Sequence, residues 1–455
     1  MGSDHQPILV KFGENNSVSK ANNPFHFLSA WLTNEKFGKF VASHWKSNTT
    51  FSDMTHDHTP KLLTWNKVIF GNIFQRHRRL LARLGGIQRA LEVKYTRSLC
   101  HLENKLKKEM EEVLNQEEWF WHKKSRKDWA LLGDRNTKFF HQKTLAKRCR
   151  NCIRAIMDEK SFWLYELAAI KQHVIDFFSS LYINTDACFV SYPYRGYFRS
   201  IDESTWQFLM SPINDDEIKQ TIFSMKPLKA PGVDGFLAIF YQSQWHVVGV
   251  SFCQMVKEVF NSHQLQADIN HTLLVLISKV DNPTSLKMFR STSLCSIAYK
   301  AITKPIANRL KSILPDLIRP QQTSFVLGRH IIENIVVAQE VIHTMRKKTG
   351  RVGQMAIKVD LEKAYDRLSW DFIFETLVEV GLPMNLTRII MECITTARMN
   401  VLWNGEFTED FTPSRGIRQG DLISPYLFML CIERLSHAIC SAVNAGKWKP
   451  IRLSR

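Results

Sequence analysis

Gln354-Met-Ala-Ile-Lys-Val-Asp360, continued by Leu361-Glu-Lys-Ala-Tyr-Asp-Arg367, is the stretch on which the reading of this 455-residue chain turns. Its first half alternates. Met355, Ile357 and Val359 fall on one face of a strand, and Ala356, Lys358 and Asp360 on the other. The pattern predicts a strand over 354–360 whose apolar face packs on a helix layer. Asp360 then points into an open cleft, and a helix follows over Arg367–Val380. A carboxylate at a strand end can anchor a hard cation such as Mg²⁺. It can equally cap the helix that follows. Spacing alone leaves both open.

Around this stretch the chain is strongly basic. Lys and Arg number 61 against 43 Asp and Glu, a formal net charge of +18. With 29 Phe and 12 Trp in a chain that is 44% hydrophobic, wholesale disorder is excluded. So positive a chain repels itself unless a polyanion neutralises it, which points to nucleic acid or an anionic membrane. No run approaches the roughly 18 apolar residues of a membrane span. The best, Leu422 to Ile432, contains Ser424 and Pro425, so no membrane partner is expected. Nine scattered cysteines, an odd number, suit a reduced intracellular protein of nucleus or cytoplasm. Walker loops, dinucleotide glycine fingerprints, HExxH and G-x-S-x-G are absent from the sequence. Cys149 and Cys152 form one C-x-x-C, with His141 upstream but no obvious fourth ligand for zinc.

The charge is uneven. Residues 1–160 hold 29 basic and 16 acidic residues, and Trp119 to Lys160 is densest with 12 against 4. There Trp119, Phe120, Trp121, Trp129, Phe139 and Phe140 alternate with Lys123, Lys124, Arg126, Lys127, Arg135 and Lys138. Cations can meet phosphates while aromatic faces stack on unpaired bases. The competing reading is an amphipathic helix with a solvated basic face and a buried aromatic one. Upstream, Leu84, Ile87, Leu91, Tyr95, Leu99, Leu102, Leu106, Met110 and Val113 recur at three- and four-residue steps. They predict a long helix or helical hairpin over Arg76–Gln116, with Gly85-Gly86 weakening its start.

Four blocks, part of the opening stretch among them, carry a resemblance. They are Lys229-Ala-Pro-Gly-Val-Asp-Gly-Phe236; Leu276-Ile-Ser-Lys279 with Phe289-Arg-Ser-Thr-Ser-Leu-Cys295 and Tyr299-Lys300; Lys358 to Arg367; and Arg415-Gly-Ile-Arg-Gln-Gly-Asp-Leu-Ile-Ser-Pro-Tyr426. In this order and spacing the chain resembles the reverse transcriptase of LINE-type (non-LTR) retrotransposons, especially plant ones. Phe325-Val-Leu-Gly-Arg329 and Gly133-Asp-Arg-Asn-Thr-Lys-Phe-Phe-His141 extend the resemblance. Gly2-Ser-Asp-His-Gln-Pro-Ile8 resembles the last motif of the endonuclease that precedes such polymerases, whose Asp-His pair serves phosphodiester cleavage; Asp4 and His5 would have no catalytic partners here.

The resemblance implies an α+β fold. It would be an incomplete right-hand polymerase, fingers and partial palm, preceded by a mainly helical basic connector. The implied division is 1–60 endonuclease tail and linker, 61–165 connector, 166–345 fingers and 346–455 partial palm. The implied reaction is RNA-templated nucleotidyl transfer, with an RNA template, a DNA primer and deoxynucleoside triphosphates as partners. Asp360 and the backbone carbonyl of Leu361 would hold Mg²⁺ in a two-metal site. Tyr365 would crowd a ribose 2′-OH, Gln419 and Gly420 would touch nucleotide and template, and Lys279 and Arg290 would meet the triphosphate. Each has a plainer reading: core packing for Tyr365, a turn for Gly420, an exposed cation for Lys279. The family's second carboxylate motif, Phe/Tyr-Ala-Asp-Asp, is missing, so the expectation is an inactive truncated copy. Ser278, Ser291-Thr292 and Leu422 stand where the family usually has proline-containing pairs or proline, which loosens those loops. The alternative is a non-catalytic nucleic-acid-binding remnant that uses the basic aromatic connector.

Overall fold

A computed structural model of the chain describes residues 24–45, 49–125, 142, 144–147, 150–183, 192, 194–348 and 353–451. Helix and sheet are mixed, as the α+β expectation required. The helices used below are α1 (Phe51–Trp65), α2 (Ile73–Val93), α3 (Arg97–Ser125), α4 (Leu167–Tyr182), α5 (Trp245–Ser262), α6 (Ile297–Leu317), α7 (Ile331–Lys347), α8 (Trp370–Val380), α9 (Met384–Thr395) and α10 (Ser424–Asn444). The strands are β1 (Ile156–Met157), β2 (Trp163–Leu164), β3 (His271–Ser278), β4 (Phe289–Cys295), β5 (Arg398–Trp403) and β6 (Glu406–Phe407).

Of the long helix and the helical hairpin that the sequence left open, the hairpin is present, as α2 and α3. Asn72 caps α2 by accepting from the backbone N–H of Phe74 and Gln75 at 2.9 and 3.2 Å. The helix runs straight through Gly85-Gly86, so the glycines sit inside it and not at its start. Leu80, Ile87, Leu106, Met110 and Val113 are buried along the seam and its continuation into the core. Phe74 meets Phe120 and Trp121 with ring centroids 5.4 and 5.8 Å apart. Phe120 and Trp121, both half-buried, therefore pack against Phe74, while Trp119 beside them is exposed.

The main sheet has the order β4-β3-β5-β6. β3 pairs antiparallel with β4, Thr272 opposite Cys295 and Ile277 opposite Arg290, and parallel with β5. Helix α4 lies on this sheet. Ile170, Val174, Phe178 and Leu181 form a second core with Leu274, Met399, Val401 and Trp403. Each such side chain contributes about 1.5–3 kcal/mol by leaving water. The larger core joins Phe27, Trp31, Phe37 and Trp65 to Phe236, Phe240, Phe252 and the helices α5, α6, α8, α9 and α10.

Two expectations are corrected here. Residues 353–361 form no strand, and Met355, Ile357 and Val359 are largely exposed. A period of two decides which side chains share a face, but a strand exists only through hydrogen bonds to a neighbour. Among the described residues no strand pairs with this segment. The helix expected over Arg367–Val380 is present as α8 but starts three residues later, after Ser369, and the single turn Ala364–Arg367 stands apart before it. Gly381 ends α8 in the left-handed region at φ 80°.

A third correction concerns α10. By length and composition alone it is apolar enough to cross a membrane, against the sequence reading. Its apolar run extends beyond Ile432 because Ala, Ile and Val recur through Val443. Its buried face also carries Glu433, Arg434 and His437. It packs against α6 and α8, as a core helix does.

Candidate nucleotide site

The site is built where the turn 361–368, the end of β3, the start of β4 and the loop 413–421 converge. Loop 413–421 is held by backbone bonds from three directions. Ser414 and Arg415 donate to the carbonyl of Tyr182 at the end of α4, at 2.9 and 3.1 Å. Gly416 and Ile417 donate to the carbonyls of Leu368 and Tyr365, each at 2.7 Å, and the Trp370 indole donates to Gly416 O at 2.8 Å. Ser293 of β4 donates to Gln419 O at 2.7 Å. The loop thus links helix, turn and sheet.

Two glycines permit this closeness. Gly416 has φ 89°, and a Cβ there would lie 2.5 Å from Asp366 O. Gly420 has φ 118°, and its Cβ would lie 2.8 Å from Ser293 O. Both obstacles are backbone, which cannot swing aside. Gly416→Ala is therefore expected to cost about 2 kcal/mol of stability. Urea unfolding measures this; an unchanged midpoint would show that the turn yields freely.

These elements enclose a cavity of about 290 Å³. Lys279, Arg290, Leu361, Tyr365 and Gln419, singled out from three separate blocks of sequence, all line it. Phe177, Ser291, Lys363 and Asp366 line it too. Tyr365 stacks on Phe428 with centroids 4.8 Å apart and planes 21° apart, so it packs and faces the cavity at once. Lys279 donates from Nζ to Lys287 O at 3.2 Å. Gly420 is outside the lining and holds the loop against β4. Asp360 is exposed beside Leu361 and is not among the residues that line the cavity. Arg126 and Lys127 lie outside the described residues, as do Asp4, His5, His141 and Cys149. Lys123 and Lys124 lie on the last turn of α3, with side chains outside the description.

The buried charges around the cavity are linked. Asp366 accepts from Tyr182 Oη at 2.8 Å. Burial pushes its carboxyl up, against the pull of Tyr182, Lys363, Lys279 and Arg367. Burial pushes the Lys363 amine down, opposed by Asp366 and Glu362 and reinforced by Lys279 and Arg367. Behind the loop, Arg418 is buried and donates to Thr272 Oγ1 at 2.8 Å, Tyr299 Oη at 2.7 Å and the Cys393 carbonyl. Tyr299 in turn donates to Asp421 at 2.7 Å. Sequence reasoning gave no role to Lys363, Asp366, Arg418 or Asp421, though all lie in the quoted blocks. Nothing in the sequence flagged Phe177 or Tyr182.

For Mg²⁺ the donors are right in kind. Asp360 offers a carboxylate and Leu361 a carbonyl, both hard oxygens. Their number falls short of a two-metal site, because no three Asp, Glu, His or Cys side chains converge among the described residues.

Residues 277–447 match the family described as reverse transcriptase (RNA-dependent DNA polymerase). That span contains Lys279, Arg290, Asp360, Tyr365, Gln419 and Gly420. Across 95% of its length the chain is 27% identical to the transposon TX1 uncharacterized 149 kDa protein of Xenopus laevis. Over 52% it is 26% identical to the retrovirus-related Pol polyprotein from type-2 retrotransposable element R2DM of Drosophila melanogaster. An uncharacterized mitochondrial protein of Arabidopsis thaliana is 56% identical over 10% of the chain. The chain spans 34%, 21% and 35% of these relatives' lengths. Residues 277–447 therefore resemble an RNA-directed DNA polymerase, and two of the relatives are named for a transposon and a retrotransposable element.

Proposed function

We propose that the chain carries the fingers and partial palm of a LINE-type reverse transcriptase, and that its 290 Å³ cavity receives a deoxynucleoside triphosphate. The supporting observation is the convergence of Lys279, Arg290, Leu361, Tyr365 and Gln419 on that one cavity from segments far apart in sequence. Lys279 and Arg290 neutralise phosphate charge, Tyr365 crowds the sugar, and the Gln419–Gly420 loop sets the base side. Asp360 and Leu361 would hold Mg²⁺, which when bound would offset the charge of the triphosphate. RNA template and DNA primer lie along the basic connector, whose Lys123, Lys124, Arg126 and Lys127 meet phosphates. The functional division is 1–60, 61–165, 166–345 and 346–455. These are not separate folding units, since Phe27 and Val113 share a core with Leu430. The setting is intracellular and no membrane takes part.

Among the described residues this reading gives Mg²⁺ one carboxylate, Asp360, fewer than a two-metal site takes, so the chain as given is expected to bind nucleotide without extending a primer. The test has two arms. Primer extension on an RNA template with Mg²⁺ is expected to give no product. Extension that disappears in Asp360→Ala would overturn the inactivity. In equilibrium binding the unaltered chain is expected to prefer a dNTP over the matching rNTP by about tenfold, and Tyr365→Val to reduce that to about twofold. Equal affinity in the unaltered chain would remove Tyr365 from the sugar. Nucleic-acid binding is expected to be salt-sensitive, to survive Asp360→Ala, and to fall when the four connector cations are replaced together.

A further inference from the structure

We propose that Lys363 is a third phosphate-binding residue of this cavity, gripping the polyphosphate of the nucleotide together with Lys279 and Arg290. This deepens the nucleotide reading above and rests on it. The three cations come from three segments: the turn after Asp360, the end of β3 and the start of β4. All three line the same cavity.

The placement of Lys363 is fixed by its backbone. Its φ is 51°, in the left-handed region that a residue with a Cβ rarely adopts. Its carbonyl accepts from the N–H groups of Asp366 and Arg367 at 2.9 and 3.1 Å, which locks that conformation. The Nζ then rests 4.3 Å from the centroid of the Phe177 ring. That ring, on α4, holds the ammonium at the cavity wall while leaving its donors available. Among the described residues no carboxylate forms an ion pair with it. Asp366, the one carboxyl lining the cavity, is engaged by the Tyr182 hydroxyl at 2.8 Å. Glu362 is exposed. Three cations around one small volume, with a single committed carboxyl among them, call for an anion of more than one charge. A polyphosphate meets that need, and a lysine suits it as a point charge needing no fork geometry.

The experiment compares dATP, dAMP and deoxyadenosine binding to the full chain and to Lys363→Gln by titration calorimetry. Lys363→Gln is expected to weaken dATP about 10- to 100-fold, dAMP less, and deoxyadenosine not at all. Lys363→Arg retains most of the dATP affinity. A merely structural lysine would weaken all three ligands together, and that result, or unchanged dATP affinity, overturns the proposal while leaving the nucleotide reading intact. An unaltered chain that binds none of the three overturns both. Should Lys363→Gln not fold, the unaltered chain serves. Tripolyphosphate should then slow acetylation of Lys363 several-fold relative to the exposed Lys219, read by mass spectrometry. Equal rates overturn the proposal.

Discussion

Arg418→Met is expected to lower the unfolding free energy by about 3–5 kcal/mol at pH 7. Arg418 is 2% exposed, yet all its polar contacts are internal. Its guanidinium reaches Thr272 on β3, Tyr299 on α6 and the Cys393 carbonyl on α9, and lies 4.2 Å over the Tyr299 ring. Tyr299 passes the link to Asp421, also buried. Methionine matches the volume of the stem but none of the donors. It would leave the Cys393 carbonyl and the Asp421 carboxyl in a dry interior without their cation. Removing one member of a buried charged set costs more than the set contributes as a whole, because the partners' desolvation is no longer offset. For the same reason the double variant with Asp421→Asn should be less destabilised than the sum of the singles by about 1–2 kcal/mol. Urea unfolding of the four proteins measures the cycle. A cost below about 1 kcal/mol for Arg418→Met would mean that water replaces the guanidinium, and the network would not be the fastening of the loop. A consequence for the site follows directly. Gln419 is the next residue, so losing Arg418 frees the loop that Ser293 and Tyr365 otherwise hold.

Arg418 also illustrates what a sequence can and cannot convey. The block Arg415–Tyr426 stood out as a unit, and within it Gln419 and Gly420 were legible. The task of Arg418 was not, because its partners lie 146, 119 and 25 residues away. Local chemistry is written locally; tertiary partners are not. The same division runs through the fold. The seam of α2 and α3 follows from apolar spacing, since a helix satisfies its own backbone. The break between them, at Lys94–Thr96, has no glycine or proline to announce it. Segment 354–360 has a good strand pattern, but pairing depends on a neighbour that the pattern does not specify. Phe177 and Tyr182 were invisible for a related reason. Their helix reads as ordinary amphipathic packing, and only the fold brings its end to Asp366 and to loop 413–421. The +18 charge likewise pointed towards a polyanion without locating the cavity that Lys279, Arg290 and Lys363 line.

Asp234→Asn is expected to stabilise the protein at pH 8 by about 2–4 kcal/mol and to change little at pH 4. Asp234 lies in the loop Lys229–Gly235 and lines a cavity of about 540 Å³ together with Phe25, Phe51 and Phe236. The residue as a whole keeps some exposure, but its carboxyl is enclosed. Burial pushes that carboxyl up to about 7, against the backbone N–H of Phe236 and the charge of Lys300. In the unfolded chain it titrates near 4. The folded state therefore binds this proton more tightly than the unfolded state does. The stability it contributes is present in full below about pH 4 and is lost as pH rises through about 7. Above that, the folded chain must hold a carboxylate among aromatic rings. Asparagine has the same shape, keeps an oxygen for the Phe236 N–H at 3.3 Å, and never ionises. It removes the penalty only where there is one. Urea unfolding of both proteins at pH 4 and pH 8 isolates this group, since every other carboxyl titrates alike in the two. A stabilisation of equal size at both pH values would contradict the buried charge and assign the gain to packing. A destabilisation at pH 8 would mean that Asp234 works as an anion there, paired with Lys300 across the loop.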